Sequence, residues 1–395
     1  MATVKGQSKP QGAAPAAPQA VIPFTRAARE KSFLAFDTGA LTTSTSATTQ
    51  VSPIQLPAAG FLKYIEIVVT ATTAGNSVSV TYNADGPWNI LNYVSLTNSA
   101  GDTIITPMTG YQLFLINKYG AIGTEPPYAD PRGDSLYSAT TGTGATGGSF
   151  TFQLRIPLEI DPRDAYGAVP NLASNKAYNL QFIINGTNSV YGTSAAPTAG
   201  PTVRIQGTSY FWSQPFAQTP FGTGQATAPD SDGSVSMWRL QTAPVTSGDR
   251  YVTLTNVGNV IRMWIFVLRQ SSGARITSNS SDWPATSQLI LNNDVLLHLP
   301  LTNWQNDIAQ SYGYVFGAIE AARGLDYGVF PIFHFFDQRG NVKVDSARDQ
   351  LLPTLDATLV QFHATTFSSN ANTLEIISNE IKPVSAASLY SLNLV

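Results

Sequence analysis

The chain has 395 residues, no cysteine, 43% hydrophobic residues and a formal net charge of −3. That length suits two domains better than one, and the missing cysteines exclude disulfides and thiolate chemistry. Charged residues make up 12%, against about 25% in an ordinary soluble domain, so Ser, Thr, Asn, Gln and Gly solvate the surface. Such a surface packs against neighbours without desolvating many ions, which favours assembly.

Residues 1–31 hold Lys5, Lys9, Arg26, Arg29 and Lys31 against Glu30, a net of +4, which leaves −7 on residues 32–395. A basic arm on an acidic body is the pattern of a tail that meets phosphate or anionic lipid, or of one that is simply solvated. Residues 1–20 are rich in Pro, Ala, Gln and Gly and are expected not to pack. They lack a continuous apolar core, and no apolar run reaches ~18 residues. The expectation is a soluble chain without a secretory signal or a membrane-spanning helix. Val21, Ile22 and Phe24 stand just before Arg26 and Arg29, which predicts a short helix or a segment lying flat on a surface.

From about residue 51 the hydrophobic pattern alternates with a period of two. Phe61, Ile65, Ile67 and Val69 share one face; Val78, Val80 and Tyr82 another; Trp88, Ile90, Val94 and Leu96 a third. Asn98-Ser-Ala-Gly101-Asp102 is turn chemistry, after which a strand resumes at Thr103. Phe150 to Leu158 and Tyr178 to Ile184 alternate again, and residues 203–212 supply a last strand. Residues 215–234 read as a linker. A second series follows at 236–242, 251–256, 258–269, 288–299, 327–336, 357–367 and 373–382. A helix is expected from Trp304 to Ala322, where Trp304, Ile308, Tyr312, Val315 and Ile319 recur at three- and four-residue steps. A shorter counterpart is expected over Thr109–Tyr119. Strands separated by Gly/Pro/Asn/Ser loops with little helix make an all-β antiparallel sandwich, not an α/β fold.

The series repeats. Gly60-Phe-Leu-Lys-Tyr-Ile-Glu-Ile-Val-Val69 reads against Gly258-Asn-Val-Ile-Arg-Met-Trp-Ile-Phe-Val267. Trp88 and Trp283 each open a strand–turn–strand–helix stretch, ending in Tyr119-Gly120 and Tyr312-Gly313. Leu180-Gln-Phe182 follows Pro170 as Val360-Gln-Phe362 follows Pro353. The halves 51–214 and 236–382 are therefore expected to share one strand order.

With these stretches in order the sequence resembles the double jelly-roll major capsid proteins of tectivirus-type, internal-membrane bacteriophages. The residues that carry the resemblance are Gly60 to Thr72, Asp85-Gly-Pro-Trp-Asn-Ile-Leu91, Gly110-Tyr-Gln-Leu-Phe-Leu-Ile-Asn117 and Arg155-Ile-Pro-Leu158. Ala168-Val-Pro-Asn-Leu172, Leu180-Gln-Phe182, Leu325-Asp-Tyr-Gly-Val-Phe330 and the 357–367 strand complete them. The resemblance implies two tandem eight-stranded jelly rolls, at 32–214 and 235–383, with an arm before them, the linker between and a tail at 384–395. It further implies a structural homotrimer of pseudo-hexagonal outline that tiles an icosahedral virion, with penton and other minor coat proteins beside it. Assembly in the host cytoplasm, and no enzyme activity, cofactor or small-molecule substrate, follow from the same likeness. The arm departs from the family in its Ala and Pro content. Its charges suit the inner face of the shell, where Lys5, Lys9, Val21, Ile22, Phe24, Arg26, Arg29 and Lys31 would meet an internal membrane or packaged nucleic acid.

Other motifs favour plain structural readings. Gly142-Thr-Gly-Ala-Thr-Gly147 matches a nucleotide fingerprint in letters but precedes a strand instead of a helix. Arg132-Gly-Asp134 stands in a turn begun by Asp130-Pro131, and Asp161-Pro-Arg163 repeats that turn. Asp130, Asp134, Asp161 and Asp164 would be the donors of any calcium site. His298, His334 and His363 have no metal-ligand spacing, although His334 and His363 fall on separate late strands. Asp230 and Asp232 lie in the linker, and Asn185-Gly-Thr187 and Asn279-Ser-Ser281 are formal glycosylation sites expected to be loops. The rival reading is a carbohydrate-binding or adhesin sandwich, with Trp88, Trp283 or Trp304 stacking on sugars; an enzyme on the same fold is a second rival.

Overall fold

The computed structural model describes residues 21–72, 80–98, 100–120, 138–139, 148–162, 164–172, 177–192, 197, 199–220, 222–224, 234–255, 258–276, 282–312, 329–332, 351–355 and 357–383. The first half contributes β1 (Glu30–Asp37), β2 (Thr49–Gln50), β3 (Gly60–Thr72), β4 (Leu91–Thr97) and β5 (Thr103–Met108). Helix α1 (Gly110–Gly120) follows, then β6 (Phe150–Pro157), β7 (Asn179–Ile184) and β8 (Thr202–Trp212). The second half repeats the series as β9 (Ser234–Pro244), β10 (Gly248–Thr253), β11 (Val260–Gln270), β12 (Thr286–Leu291) and β13 (Asp294–Pro300). Helix α2 (Leu301–Tyr312), β14 (Val329–Ile332), β15 (Val360–Phe367) and β16 (Ala371–Pro383) complete it.

The main strands pair as β1-β8-β3-β6 and β2-β7-β4-β5 in the first half, and as β9-β16-β11-β14 and β10-β15-β12-β13 in the second. Adding eight to each strand number converts one pair of sheets into the other, and each helix follows the fifth strand of its half. The chain is thus all-β, two jelly rolls with the same strand order. A parallel bridge from Ile105 of β5 to Trp238 of β9 joins a sheet of each roll into one ten-stranded sheet.

Alternation explains each core. Ile65, Ile67 and Val69 of β3 and Phe152, Leu154 and Ile156 of β6 face Val94 and Leu96 of β4 and Leu180, Phe182 and Ile184 of β7. Trp264, Phe266 and Leu268 of β11 meet Leu289, Phe362, Leu374 and Ile376 in the second roll. Each such side chain stabilises the fold by about 1.5–3 kcal/mol relative to exposure. β11 is buried on both faces because Met263, Ile265 and Val267 turn the other way, into the first roll's core. This accounts for the dense apolar run at 260–268, since a strand covered on both faces has no polar side.

Several expectations are corrected. The repeat aligns one residue away from the Gly60/Gly258 match. Pro170 pairs with Phe61 and Pro353 with Val260, so Phe61 answers to Val260 and Lys63 to Arg262. Both basic residues sit at β-bulges and both are buried. A one-residue slip exchanges the two faces of a strand, and only the inward residues show which alignment holds. The expected strand at 288–299 is a hairpin, β12–β13, turned at Asn292 and Asn293, whose φ values of 48° and 74° suit a two-residue loop. Trp88–Ile90 is a 3-10 turn that leads into β4. Of the expected strand at 78–82, Val80 is buried and Tyr82 makes an isolated bridge to Tyr191, while Val78 lies outside the described residues. The expected helix at 304–322 begins earlier, at Leu301, and its part beyond 312 lies outside the described residues.

Candidate functional site at the joint between the rolls

α1 is the wedge of the joint. All eleven of its residues are buried, as expected of a helix that is apolar nearly all round. Its ends are glycines where neighbours come close. A Cβ at Gly110 would run into the carbonyl of Trp88, and one at Gly120 into the indole of Trp238. Trp88 stacks on Phe114 at 4.1 Å, and Trp238 belongs to the first roll's core although it comes from the second roll. The few polar groups of α1 are engaged. Asn117 donates to the carbonyls of Leu113 and Arg155, both at 2.7 Å, and accepts from the Arg155 amide at 2.6 Å.

Charges lock the same joint. Asp85, in the loop before Trp88, accepts from Nη1 of Arg269 at 2.8 Å and Nε of Arg275 at 2.9 Å, both from the second roll. Arg269 Nε also donates to Glu375 at 2.6 Å, and the other Glu375 oxygen accepts from Gln112 of α1 at 3.0 Å. Arg275 donates to the Ala84 carbonyl at 2.8 Å and lies over the Tyr111 ring. The side chains of Arg275, Arg269, Glu375 and Asp85 are 0%, 11%, 14% and 15% exposed. Burial opposes the charge of Arg269, but Asp85 and Glu375 outweigh it and hold its pKa above the usual arginine value. Further along, Arg262 donates to Asn379 and, at 2.8 Å, to the Gly120 carbonyl. Ile160 and Tyr166 pack against Val260, Leu351 and Ile381. Sequence reasoning missed this network. Asp85 lay inside a quoted motif and Arg262 was visible as a break in an apolar run, but their partners stand more than a hundred positions away.

The N-terminal segment does not behave as a free arm throughout. Val21 and Ile22 pair in parallel with Thr223 and Gly224, and Gln218–Thr219 completes that small sheet, so the expected linker contributes two short strands. Phe24 is 2% exposed, against Phe61, Ala165 and Ala168. Ile22 and Phe24 are therefore not presented for insertion into a bilayer, because burial against the first roll removes them from water already. Arg26, Arg29 and Lys31 are exposed, with Arg29 4.9 Å above the Phe216 ring. Lys5 and Lys9 lie outside the described residues. β1 itself begins at Glu30, inside the span expected to be arm. Beneath it Lys63 meets Glu30 at 3.1 Å and Glu159 at 3.5 Å, and Trp212 donates to Glu159 at 2.6 Å. Burial pushes the Glu159 carboxyl up to about 7, against the pull of Lys63 and Trp212.

The remaining sequence candidates are placed as follows. Trp88, Trp283 and Trp304 are 0%, 4% and 2% exposed, so none offers a sugar-stacking face. His363 contacts Gln288 at 2.9 Å and Asp249 at 2.6 Å and stacks on Tyr251, while His298 is exposed opposite Gln288. His334, Asp130, Asp134, Asp230, Asp232, Asn279, the tripeptide 132–134 and the glycine run 142–147 lie outside the described residues. Asp164 accepts from the Tyr166 amide at 3.0 Å within a turn, and Asn185 donates to the Asn89 carbonyl at 2.7 Å. Among the described residues no group of three metal-ligating side chains comes together, and no helix is long and apolar enough to cross a membrane.

No protein-family model matches the sequence, and no curated protein does. Solved structures do match. A chain of Sulfolobus Turreted Icosahedral Virus aligns with TM-score 0.59 and 14% identity, over 92% of this chain and 95% of that one. The PBCV-1 virus capsid aligns with TM-score 0.56 and 13% identity, over 90% and 93%. The major capsid protein P2 of bacteriophage PM2 aligns with TM-score 0.50 and 12% identity, over 91% and 99%. At these identities the likeness is one of fold, and it spans both rolls and the joint between them. The chain has the double jelly-roll fold of viral major capsid proteins.

Proposed function

We propose that this chain is the major coat protein of an icosahedral virion: a structural subunit that forms homotrimers of pseudo-hexagonal outline and acts without a catalytic centre. The observation that carries the reading is the rigid pairing of two rolls of one strand order. A wedge helix and a buried ion network hold them in one relative orientation, and the same pairing runs the length of the coat-protein structures. A fixed pair of like units is what a ring built by repeated contacts requires. A free-standing binding module has no need of a second roll locked to the first. Penton and other minor coat proteins would close the shell, assembly would take place in the host cytoplasm, and the N-terminal segment would face an internal membrane, as in a phage of the tectivirus type. Its contact would be electrostatic, through Lys5, Lys9, Arg26, Arg29 and Lys31, each worth about 1 kcal/mol near an anionic surface; many copies in a shell would act together.

The coat reading is tested on the source particle. Electron cryomicroscopy of its facets is expected to give density that the paired rolls fit, and facets built from another fold would overturn the reading. The arm is tested with anionic vesicles and duplex DNA at physiological salt, using the full chain and a truncated chain that lacks residues 1–20 and carries Arg26→Gln, Arg29→Gln and Lys31→Gln. Loss of vesicle binding on truncation supports membrane contact. Equal vesicle binding by both chains refutes it, and truncation-sensitive binding to DNA alone assigns the arm to the genome.

A further inference from the structure

The N-terminal segment, residues 21–37, is seated on the first roll by apolar and charged contacts that meet at one side chain. Phe24 packs with Phe61, Ala165 and Ala168, and Ala28 and Trp212 lie against them. Trp212 pairs with Phe61 of β3 on one side and with Glu30 of β1 on the other. Its indole N–H donates to Glu159 at 2.6 Å, and the Lys63 ammonium lies 4.4 Å from its ring centre.

Beneath this seat two carboxylates share one ammonium. Lys63 is the extra residue of the bulge in β3, between Leu62 and Tyr64. Its Nζ stands 3.1 Å from Glu30 and 3.5 Å from Glu159. Its carbonyl accepts from the Leu158 and Glu159 amides at 3.1 and 2.8 Å, which fixes Glu159 beside it. The side chains of Lys63 and Glu159 are each 7% exposed, and that of Glu30 is half-exposed. The groups that face the Glu159 carboxyl thus come from three strands: Lys63 of β3, Glu30 of β1 and the Trp212 indole of β8. Arg29 and Lys31 flank Glu30 and are exposed, and Asp161 and Asp164 follow Glu159 in a turn. With Lys63 charged, ionising both glutamates leaves a net negative charge under the seat, whereas one held proton makes the three groups neutral together.

We propose that this cluster is a proton-controlled latch: a proton on Glu159 fastens residues 21–37 to the first roll, and its loss releases them. The sign follows from the contacts. Opening the segment uncovers Trp212, withdraws the Glu30 carboxylate and leaves Lys63 to Glu159 alone. All three changes favour the ionised form of Glu159, so opening expels a proton and closing takes one up. Burial holds the carboxyl at about 7 in the closed chain. The latch is therefore fastened well below that value and is lost as pH rises through it. For each unit by which opening lowers the pKa of this carboxyl, the opening equilibrium grows by up to about tenfold. Release exposes Ile22 and Phe24 beside Arg26 and Arg29, an apolar and basic pairing that the closed chain hides. The device belongs to the single chain and does not rest on the coat role.

Hydrogen exchange of the full chain, followed by mass spectrometry, tests the latch, with protection taken relative to the intrinsic exchange rate at each pH. From about pH 5.5 to about 7.5, protection of peptides within 21–37 is expected to fall at least about threefold, while that of β7 in the same roll's core stays unchanged. Glu159→Gln keeps the shape without the charge and is expected to hold the low-pH protection throughout. Glu30→Gln, at a half-exposed site, leaves Lys63 to Glu159 and is expected to move the fall to lower pH. Protection of 21–37 that ignores pH in the parent chain overturns the latch, as does a fall of the same size and midpoint in Glu159→Gln or in Glu30→Gln. An equal fall in β7 overturns it too, since the whole roll then opens and the segment is not released by itself.

Discussion

Replacing Asp85 with Asn keeps the shape of the side chain and removes its charge from a site enclosed by Arg269 and Arg275. At an effective dielectric of about 20, two unit charges 4 Å apart interact by about 4 kcal/mol before desolvation is counted. Breaking a buried pair by removing one partner costs about 3–5 kcal/mol, since the remaining charge stays in place without compensation. Arg269 retains Glu375, and Asn can still accept one hydrogen bond, so Asp85→Asn is expected near the lower end, about 3 kcal/mol. The assay is urea unfolding followed by tryptophan fluorescence, which sees Trp238 at the joint; the change is the midpoint shift multiplied by the slope. Asp85→Asn/Arg275→Met, which removes the stranded charge as well, is expected to be less destabilised than the sum of its single variants. A single variant within about 0.5 kcal/mol of the parent, or strict additivity in the double variant, would refute the claim that ions lock the joint.

Three further outcomes are expected. Gly120→Ala places a methyl group in the Trp238 indole and should cost about 1–3 kcal/mol as overpacking, with altered Trp fluorescence; an unchanged melting curve would contradict the close approach. Glu159 is held near 7 in the fold against 4.5 for a free carboxyl, so the folded chain binds the extra proton between these values and stability falls as pH rises from about 4.5 to about 7. The loss has an upper bound of about 3 kcal/mol, and Glu159→Gln should flatten that slope in urea titrations at several pH values. Asn293→Val forces a β-branched side chain to a φ of 74° and should cost about 1–2 kcal/mol, measured by thermal unfolding, whereas Asn293→Gly should cost nothing or stabilise.

Strand alternation made the core strands of both rolls legible, because a half-buried strand must show its two faces in the sequence. It failed where that premise fails. β1 is an edge strand with no fully buried residue, so its pattern carries little contrast, and it went unread in a segment rich in charge. β12 and β13 merged into one expected strand because apolar residues continue on both sides of Asn292-Asn293. β11 showed no alternation, and its apolar run, interrupted at Arg262, was the trace of a second covered face. The locking network was not legible for a different reason. Asp85 and Arg269 are 184 positions apart, and nothing local to either residue signals the other. The repeat was visible but aligned one residue off, a slip that only the direction of the side chains corrects.

The proposed coat role requires that two like rolls, fixed by a wedge helix and an ion lock, form the repeating unit of a closed ring of three chains. Projection averages of the purified protein by negative-stain electron microscopy test it most directly. The account predicts a six-lobed ring of about three times 42.2 kDa; a population of separate two-lobed particles of single-chain mass would contradict it.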